Sequence, residues 1–335
     1  MSNSSPRPTV LITGATGALG PAVIRAFDAS GWRIRTLSRN PPAAGSAAAA
    51  HEHFCADITD AVALRAAMTD VDTVVHMAAL LHVLDRSASL GQYERVNVEG
   101  TKAVMAAATA ASVGRVVALS TIAVYGPHTS MIDETTPPAP DTPYGVTKLQ
   151  GEYAALQARG ADDRSLAAVL RLAAVYGPGV KGNYERLVRA LARRRFVPIG
   201  DGSNARTLVF EDDAAEAILL AATHPAAAGG IFNVTDGAVH RVRDIVGAIA
   251  RALGRRPPRL RVPASMAIAG VRAVESALAL AGRRSPVTRT TLDKYLEHVA
   301  VSGRRIGDTL LFHPRWTLDS GWQRTVDQLR REGRL

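Results

Sequence analysis

The chain has 335 residues, 47% hydrophobic and 21% charged, with a mean hydropathy of +0.03. This balance excludes a disordered or fibrous chain, and the length fits roughly two domains, or one α/β unit with a smaller appended lobe. The formal net charge of +10 could draw polyanions, but it comes from scattered arginines without interleaved aromatics, so nucleic acid is not an expected partner.

Met1 to Pro8 has no apolar segment of the signal-peptide kind and reads as a flexible leader. Apolar runs rich in β-branched residues then alternate with alanine-rich helical stretches as far as Leu172. The strands expected are Thr9–Thr13, Arg33–Leu37, His53–Ala56, Thr73–His76, Arg115–Ser120 and Ala167–Leu172, with helices between them. Such alternation predicts a Rossmann-like, doubly wound α/β fold on a parallel sheet. The single Cys55, at the end of the third strand, excludes an intrachain disulfide or thiolate metal cluster; no metal site is expected, and a reducing cytoplasm is the expected location.

Beyond Leu172 the order is less regular, with helices expected at Asn183–Arg193, Glu211–Thr223 and Val242–Leu253. The division expected is a dinucleotide-binding domain over 1–172, to which 205–234 returns, and a smaller C-terminal substrate-binding lobe from 173–204 and 235–335. Pro263 to Ala281 is apolar but interrupted by Arg272 and Glu275, so it is too polar to span a membrane and reads as a packed amphipathic helix.

Three glycines, Gly14, Gly17 and Gly20, follow the first strand and open a helix, with Thr16, Ala18 and Leu19 among them. Glycine permits the tight turn and close backbone approach to a pyrophosphate, and the helix N-terminus offers N–H donors and positive dipole. At the end of the second strand Ser38 and Arg39 stand where an acid would hold an NAD ribose 2′-hydroxyl. A hydroxyl and a guanidinium suit a 2′-phosphate instead, which favours NADP(H) over NAD(H). Asp57 and Ile58 could reach the adenine edge, and Met77, Ala78 and Ala79 could wall the cofactor pocket.

Thr142 and Pro143 mark a helix start, and four-residue spacing then puts Tyr144 and Lys148 on one helical face. An ammonium there, with the positive charge of an oxidised nicotinamide, would lower the phenol pKa and make Tyr144 a general acid/base. Taken alone the pentapeptide also fits a half-buried tyrosine beside a surface lysine. Its position favours the first reading, because Ser120 and Thr121 end the preceding strand at the carboxyl edge, where open α/β sheets bind ligands.

On these residues the chain resembles the extended short-chain dehydrogenase/reductase family of nucleotide-sugar epimerases, dehydratases and reductases. The resemblance covers nearly the whole length and rests on Gly14-xx-Gly17-xx-Gly20, His76-Met-Ala-Ala79, Val96-Asn97-Val98-Glu99-Gly100-Thr101, Ser120-Thr121 with Val124-Tyr125-Gly126, Tyr144-xxx-Lys148 and Arg171-xxxx-Tyr176-Gly-Pro-Gly179. It implies that Tyr144 is the acid/base, that Lys148 binds the nicotinamide ribose and tunes Tyr144, and that Asn97 supports the site. Thr121 falls where the family usually has its catalytic serine and keeps the hydroxyl. The resemblance also implies that Asn183 donates to a substrate diphosphate, that Val197 lines a nucleobase slot, and that Arg206 and Arg289 bind phosphate. A homodimer through helices at about Gln92–Ala111 and Pro143–Arg159 is implied as well.

Within the family the chain is most similar to bacterial UDP-hexose 4-epimerases and UDP-sugar 4-ketoreductases of surface-polysaccharide synthesis. The expected function is therefore hydride transfer at C4 of a nucleotide-diphosphate sugar, a UDP-sugar foremost. A 4,6-dehydratase would need an Asp-Glu pair after the catalytic hydroxyl, where this chain has Ile122 and Ala123. The alternatives are a hydroxysteroid-type or other lipophilic-alcohol reductase of the same family, and a non-catalytic NADP(H) sensor.

Overall fold

The computed structural model describes residues 7–81, 89–179, 182–280, 292 and 295–335. Seven strands make the central sheet: β1 (Thr9–Thr13), β2 (Arg33–Ser38), β3 (Glu52–Cys55), β4 (Thr73–His76), β5 (Arg115–Thr121), β6 (Ala167–Leu172) and β9 (Ile231–Val234). All are parallel, in the order β3-β2-β1-β4-β5-β6-β9. Both faces of a parallel sheet are covered by helices, so its strands read as continuous apolar runs. In β1 all five residues are buried, and alternation splits them between two cores. Val10 and Ile12 pack with Phe27 and Ile218 on one side, and Leu11 packs with Leu64, Met68 and Val104 on the other.

The first core is covered by helices α1 (Gly20–Ala29) and α7 (Glu211–Thr223), the second by α2 (Ala61–Ala67), α4 (Gly100–Ala110) and α5 (Pro143–Gln157). The chain winds outward from β1 through β2 to β3 and then crosses back to β4. The strand order therefore reverses between β1 and β4, and that switch point opens a crevice at the carboxyl ends of the strands.

The six strands expected from the sequence are present within a residue or two at each end, and β9 adds a seventh. The return to the main sheet is made by α7 and β9. Ala205–Phe210, expected to return with them, is β8 of a separate three-stranded sheet ordered β10-β8-β7, with β7 at Ala174–Tyr176 and β10 at Val239–Arg241. Around that small sheet lie α6 (Asn183–Ala192), α8 (Val242–Ala252) and the helix Leu318–Arg331. Their shared core stacks Tyr176 on Trp322, ring centroids 4.5 Å apart, with Phe210 edge-on.

One expected helix differs in detail. The stretch from Gln92 to Ala111 is a short helix α3 (Leu90–Tyr93), a π-helical turn over Glu94–Glu99, and α4. Extra backbone in a π turn re-aims side chains and is common at functional sites. The apolar stretch after Pro263 is helix α9 (Ala264–Leu280), with Ala264, Ala267, Ile268 and Val271 half-buried and Met266 and Val274 exposed.

Candidate active site

Gly14 leaves β1 with φ +72°, a left-handed conformation that costs glycine little. A Cβ there would sit 2.8 Å from Ala78 N, so the turn also needs glycine to press against the Met77–Ala79 segment across the switch point. At Gly20 a Cβ would strike the Ala15 carbonyl, which locks the turn to the start of α1. Thr16, Gly17 and Ala18 are exposed at the rim, and Leu19, at the cap position before α1, gives it no side-chain cap. An uncapped helix N-terminus behind a glycine cradle fits the pyrophosphate of a dinucleotide.

At the adenosine end Ser38 is buried and its hydroxyl donates to Asn40 O at 2.8 Å, while Arg39 is exposed. The Asp57 carboxylate accepts from Thr59 N and Thr59 Oγ1 at 3.0 and 2.7 Å, bonds that hold it below the usual carboxylate range, helped by Arg95 and Arg39 nearby. Ile58 is buried beneath Gly100, where a Cβ would lie 2.7 Å from its Cγ2. The 2′ region thus holds two arginines and one carboxylate already engaged by its own turn.

Tyr144 and Lys148 stand on α5, whose start is capped as expected: Thr142 Oγ1 accepts from Gly145 N at 3.1 Å. The face of α5 turned inward carries Gly145, Thr147, Lys148, Gly151, Glu152 and Ala155. Burying an ammonium and a carboxylate on one helix face is costly unless each is paired, so their partners define the site. Lys148 Nζ donates to the Leu119 carbonyl at 2.6 Å, and burial pulls its pKa down to about 8 against the pull of Glu152. Tyr144 lies beside Thr121. Burial pushes the phenol up to about 12, while a hydrogen bond from Thr121 favours the phenolate. Because Thr121 Oγ1 accepts from Ala123 N at 3.2 Å, its single hydrogen is available to the phenol oxygen. Lys148 is aimed at β5 rather than at the phenol.

Glu152, one turn beyond Lys148, meets Arg171 of β6 in an ion pair whose side chains are 2% and 3% exposed. Arg171 Nη2 lies 2.6 Å from Oε2, and Nε reaches both oxygens. The Ser120 hydroxyl donates to the same carboxylate, and the guanidinium lies over the Tyr125 ring at 4.8 Å. Ser120, expected at the cofactor, is thus spent on anchoring α5. Tyr125 donates in turn to Asn233 Oδ1 of β9 at 2.9 Å.

A second network crosses from β1 to α5. His76, at the end of β4, is buried, and desolvation lowers its pKa to about 3, with the Lys148 charge adding to the effect, so it is neutral. The Thr101 hydroxyl donates to Asn97 O at 2.7 Å, which leaves its lone pairs to His76 Nε2 at 3.0 Å. The imidazole therefore carries its proton on Nε2, and Nδ1 accepts from Thr13 Oγ1 at 2.9 Å. Thr13 Oγ1 accepts in turn from Ala78 N. Asn97, in the π turn, clamps Leu80 through N–H to Oδ1 at 2.8 Å and Nδ2 to carbonyl at 3.2 Å, and donates to Thr147 Oγ1 on α5 at 3.1 Å. Asn97 thus ties the segment at Leu80 to helix α5.

The residues assigned to substrate are more dispersed. Asn183 is exposed at the first turn of α6, which also starts without a side-chain cap, and Val197 is 49% exposed. Arg206 donates to the carbonyls of Tyr295 and Glu297. Arg289 lies outside the described residues. The residues after Thr121 are Ile122 and Ala123, in a single 3₁₀ turn with no acid.

Sequence reasoning missed Glu211. It is buried at the start of α7 and accepts from Gly179 N at 2.9 Å, and Gly179 closes on Ala18 O of the glycine cradle. Burial raises its pKa from 4.5 to about 7. The acid is thus harder to ionise in the folded chain than in the unfolded one. The associated stability is fully present below pH 4.5 and is lost as the pH rises through about 7. Urea unfolding should show this falling slope, and Glu211→Gln should flatten it; an unchanged slope in the variant would place its origin elsewhere.

Glu152→Gln should destabilise the fold by about 3 kcal/mol, because it leaves Arg171 buried without its counter-charge. Replacing both, Glu152→Leu with Arg171→Met, should recover most of that loss. Equal losses in the single and double variants would show that the pair's charges are not what matters.

Comparison with known proteins agrees with this geometry. A family model for the NAD dependent epimerase/dehydratase family matches residues 10–235. The N-acetyl-alpha-D-glucosaminyl-diphospho-ditrans,octacis-undecaprenol 4-epimerase of Escherichia coli O157:H7 is 25% identical over 95% of this chain and 94% of its own length. The UDP-glucose 4-epimerase of Vibrio cholerae is 28% identical over 76% and 79%. Among solved structures, MoeE5 in complex with UDP-glucuronic acid and NAD superposes with a TM-score of 0.76 at 28% identity, covering 97% of this chain and 99% of that one. With the cradle, the Tyr144–Lys148 helix and the seven-stranded sheet in place, the chain belongs to the NAD dependent epimerase/dehydratase family, the extended short-chain dehydrogenases/reductases.

Proposed function

We propose that the chain moves hydride between a nicotinamide dinucleotide and C4 of a sugar carried on a diphosphate, in the manner of a UDP-hexose 4-epimerase or a UDP-4-keto-sugar reductase. The observation that carries this reading is the Tyr144 phenol, hydrogen-bonded by Thr121 at the carboxyl edge of β5 with Lys148 one turn along α5. The bound nicotinamide supplies or takes up the hydride. Tyr144 handles the proton. With its pKa near 12 it rests as the phenol, ready to donate to the C4 oxygen in the reductive direction. Thr121 hydrogen-bonds that oxygen and orients it. Lys148, cationic below about pH 8, stabilises the phenolate left behind, and in the oxidative direction the same charge helps Tyr144 to accept the proton.

A diphosphate is common to the names of two relatives, in a UDP-sugar for the Vibrio protein and a diphospho-undecaprenol sugar for the Escherichia one. Asn183 at the uncapped start of α6 supports a phosphate site there, with Arg206 as the further candidate for phosphate and Val197 for the nucleobase. Arg39, exposed at the end of β2 beside Ser38, supports NADP(H); the NAD in the MoeE5 structure supports the alternative, a cofactor retained through an epimerase cycle. A homodimer through α4 and α5 is supported by the groove between Glu94, Val98, Gln150 and Tyr153, the last 53% exposed. The second reading, a lipophilic-ketone reductase, is favoured by a 2-alkyl-3-oxoalkanoate reductase of Stenotrophomonas maltophilia, 31% identical over 73% of this chain.

Tyr144→Phe should lower kcat by about a thousandfold while nicotinamide binding, followed by fluorescence, stays within a few-fold. Near-normal turnover in this variant would overturn the mechanism. Nucleotide released on denaturing the purified protein distinguishes the two forms of the reaction. Retained NAD identifies the epimerase, and an empty protein that prefers NADPH identifies the reductase.

A further inference from the structure

Helix α9 presents apolar side chains that stand exposed among the described residues. Helix α9 reads ASMAIAGVRAVESALAL, with Arg272 and Glu275 its only charges. A helix apolar around its whole circumference is stable in water only when protein or lipid buries it. Yet Met266 is 65% exposed and Val274 48% exposed, and Ala269 and Gly270 are exposed between them. The spacing i, i+3, i+4 and i+8 lines these positions up as one stripe along the helix. Leu260, just before the helix, is 82% exposed.

Charge says what covers the stripe. From Arg251 to Leu280 the sequence has six arginines and a single acid, Glu275. Arg256, Arg259 and Arg261 are exposed in the turn that leads into α9, and Arg272 is exposed on the helix itself. A second protein copy would bring the same cations against these and be repelled, whereas anionic phosphates would be attracted. No helix among the described residues is long and apolar enough to cross a membrane, so the surface suits a helix lying on a bilayer rather than through it.

We propose that α9 and its arginine collar form a docking surface for an anionic lipid bilayer, with the Met266–Val274 stripe at the acyl boundary and the arginines on the lipid phosphates. The surface adjoins the proposed substrate site. The strand-like turn before α9 is bonded to the segment assigned to the nucleobase slot, Val262 N to Pro198 O at 3.0 Å and Gly200 N to Val262 O at 2.8 Å. Between that segment and α9 opens a cavity of about 510 Å³ lined by Asp201, Asn204, Arg261, Ala264 and His298. Docking therefore brings the mouth of the substrate lobe to the lipid surface. This inference does not depend on the assigned reaction, and its test needs no substrate.

The full chain is sedimented with vesicles of phosphatidylcholine alone and with vesicles containing roughly a quarter phosphatidylglycerol. Binding is expected to the anionic vesicles only and to be released by high salt. The double variant Arg256→Ala/Arg259→Ala should weaken it by about thirtyfold. Met266→Asp/Val274→Asp should abolish it while nicotinamide binding, as a measure of folding, is unchanged. Equal sedimentation with both vesicle types, or binding indifferent to the arginine variant, overturns the proposal. So does a stripe variant that converts an oligomer to a monomer in sedimentation velocity while vesicle binding persists, since the stripe would then cover a second copy of the chain.

Discussion

The arrangement of the site depends on one buried ion pair, Glu152 with Arg171. Both side chains are almost wholly removed from water, and each alone would cost several kcal/mol of lost hydration. The pair is tolerable only because the guanidinium meets the carboxylate through two nitrogens, Ser120 donates to the same carboxylate, and the cation lies on the Tyr125 ring. Such a pair contributes little net stability over apolar residues of the same size. What it provides is a register, because displacing α5 along the sheet would strand two charges at once. Tyr144 and Lys148 inherit that register, since they stand two turns and one turn before Glu152 on the same helix.

The hydrogen-bond chain through Thr13, His76, Thr101 and Asn97 does for the cofactor side what the ion pair does for α5. Each hydroxyl in it has one donor and one acceptor use, and a neutral imidazole closes the chain in a single sense. It ends on Asn97, whose amide holds Leu80 on one side and Thr147 on the other. The π turn is what places that amide between them, with Gly151 of α5 so close to the Asn97 carbonyl that a Cβ would lie 2.7 Å from it. The glycine cradle and helix α5 are therefore parts of one connected polar framework across β1, β4 and β5.

Much of this was legible in the sequence because it is local. The strands are contiguous apolar runs, the cradle is three glycines between a strand and a helix, and Thr142-Pro143 announces the start of α5. The resemblance to a known family supplied the roles expected of Tyr144, Lys148 and Asn97. Contacts between distant segments were not legible. Arg171 is a cation within an otherwise apolar strand and Glu152 follows Lys148 by four residues, two signals that together point to a buried pair, but only the sheet brings them together. The four-residue β9 is too short to be told from a turn by periodicity. Arg206 looked like a phosphate ligand, and nothing in its neighbours revealed that the carbonyls of Tyr295 and Glu297 engage its guanidinium.

In the proposed reaction, framework and function meet at the C4 oxygen of the sugar, to which the Tyr144 phenol and Thr121 hydroxyl are assigned. The most direct test follows the hydrogen on that carbon. A UDP-hexose carrying deuterium at C4 is incubated with the protein and its nicotinamide cofactor, and the products are examined by mass and proton resonance. The account predicts that deuterium moves without exchange with water, appearing on the nicotinamide ring or back at C4 of the epimer. Loss of the label to solvent would contradict hydride transfer at this carbon.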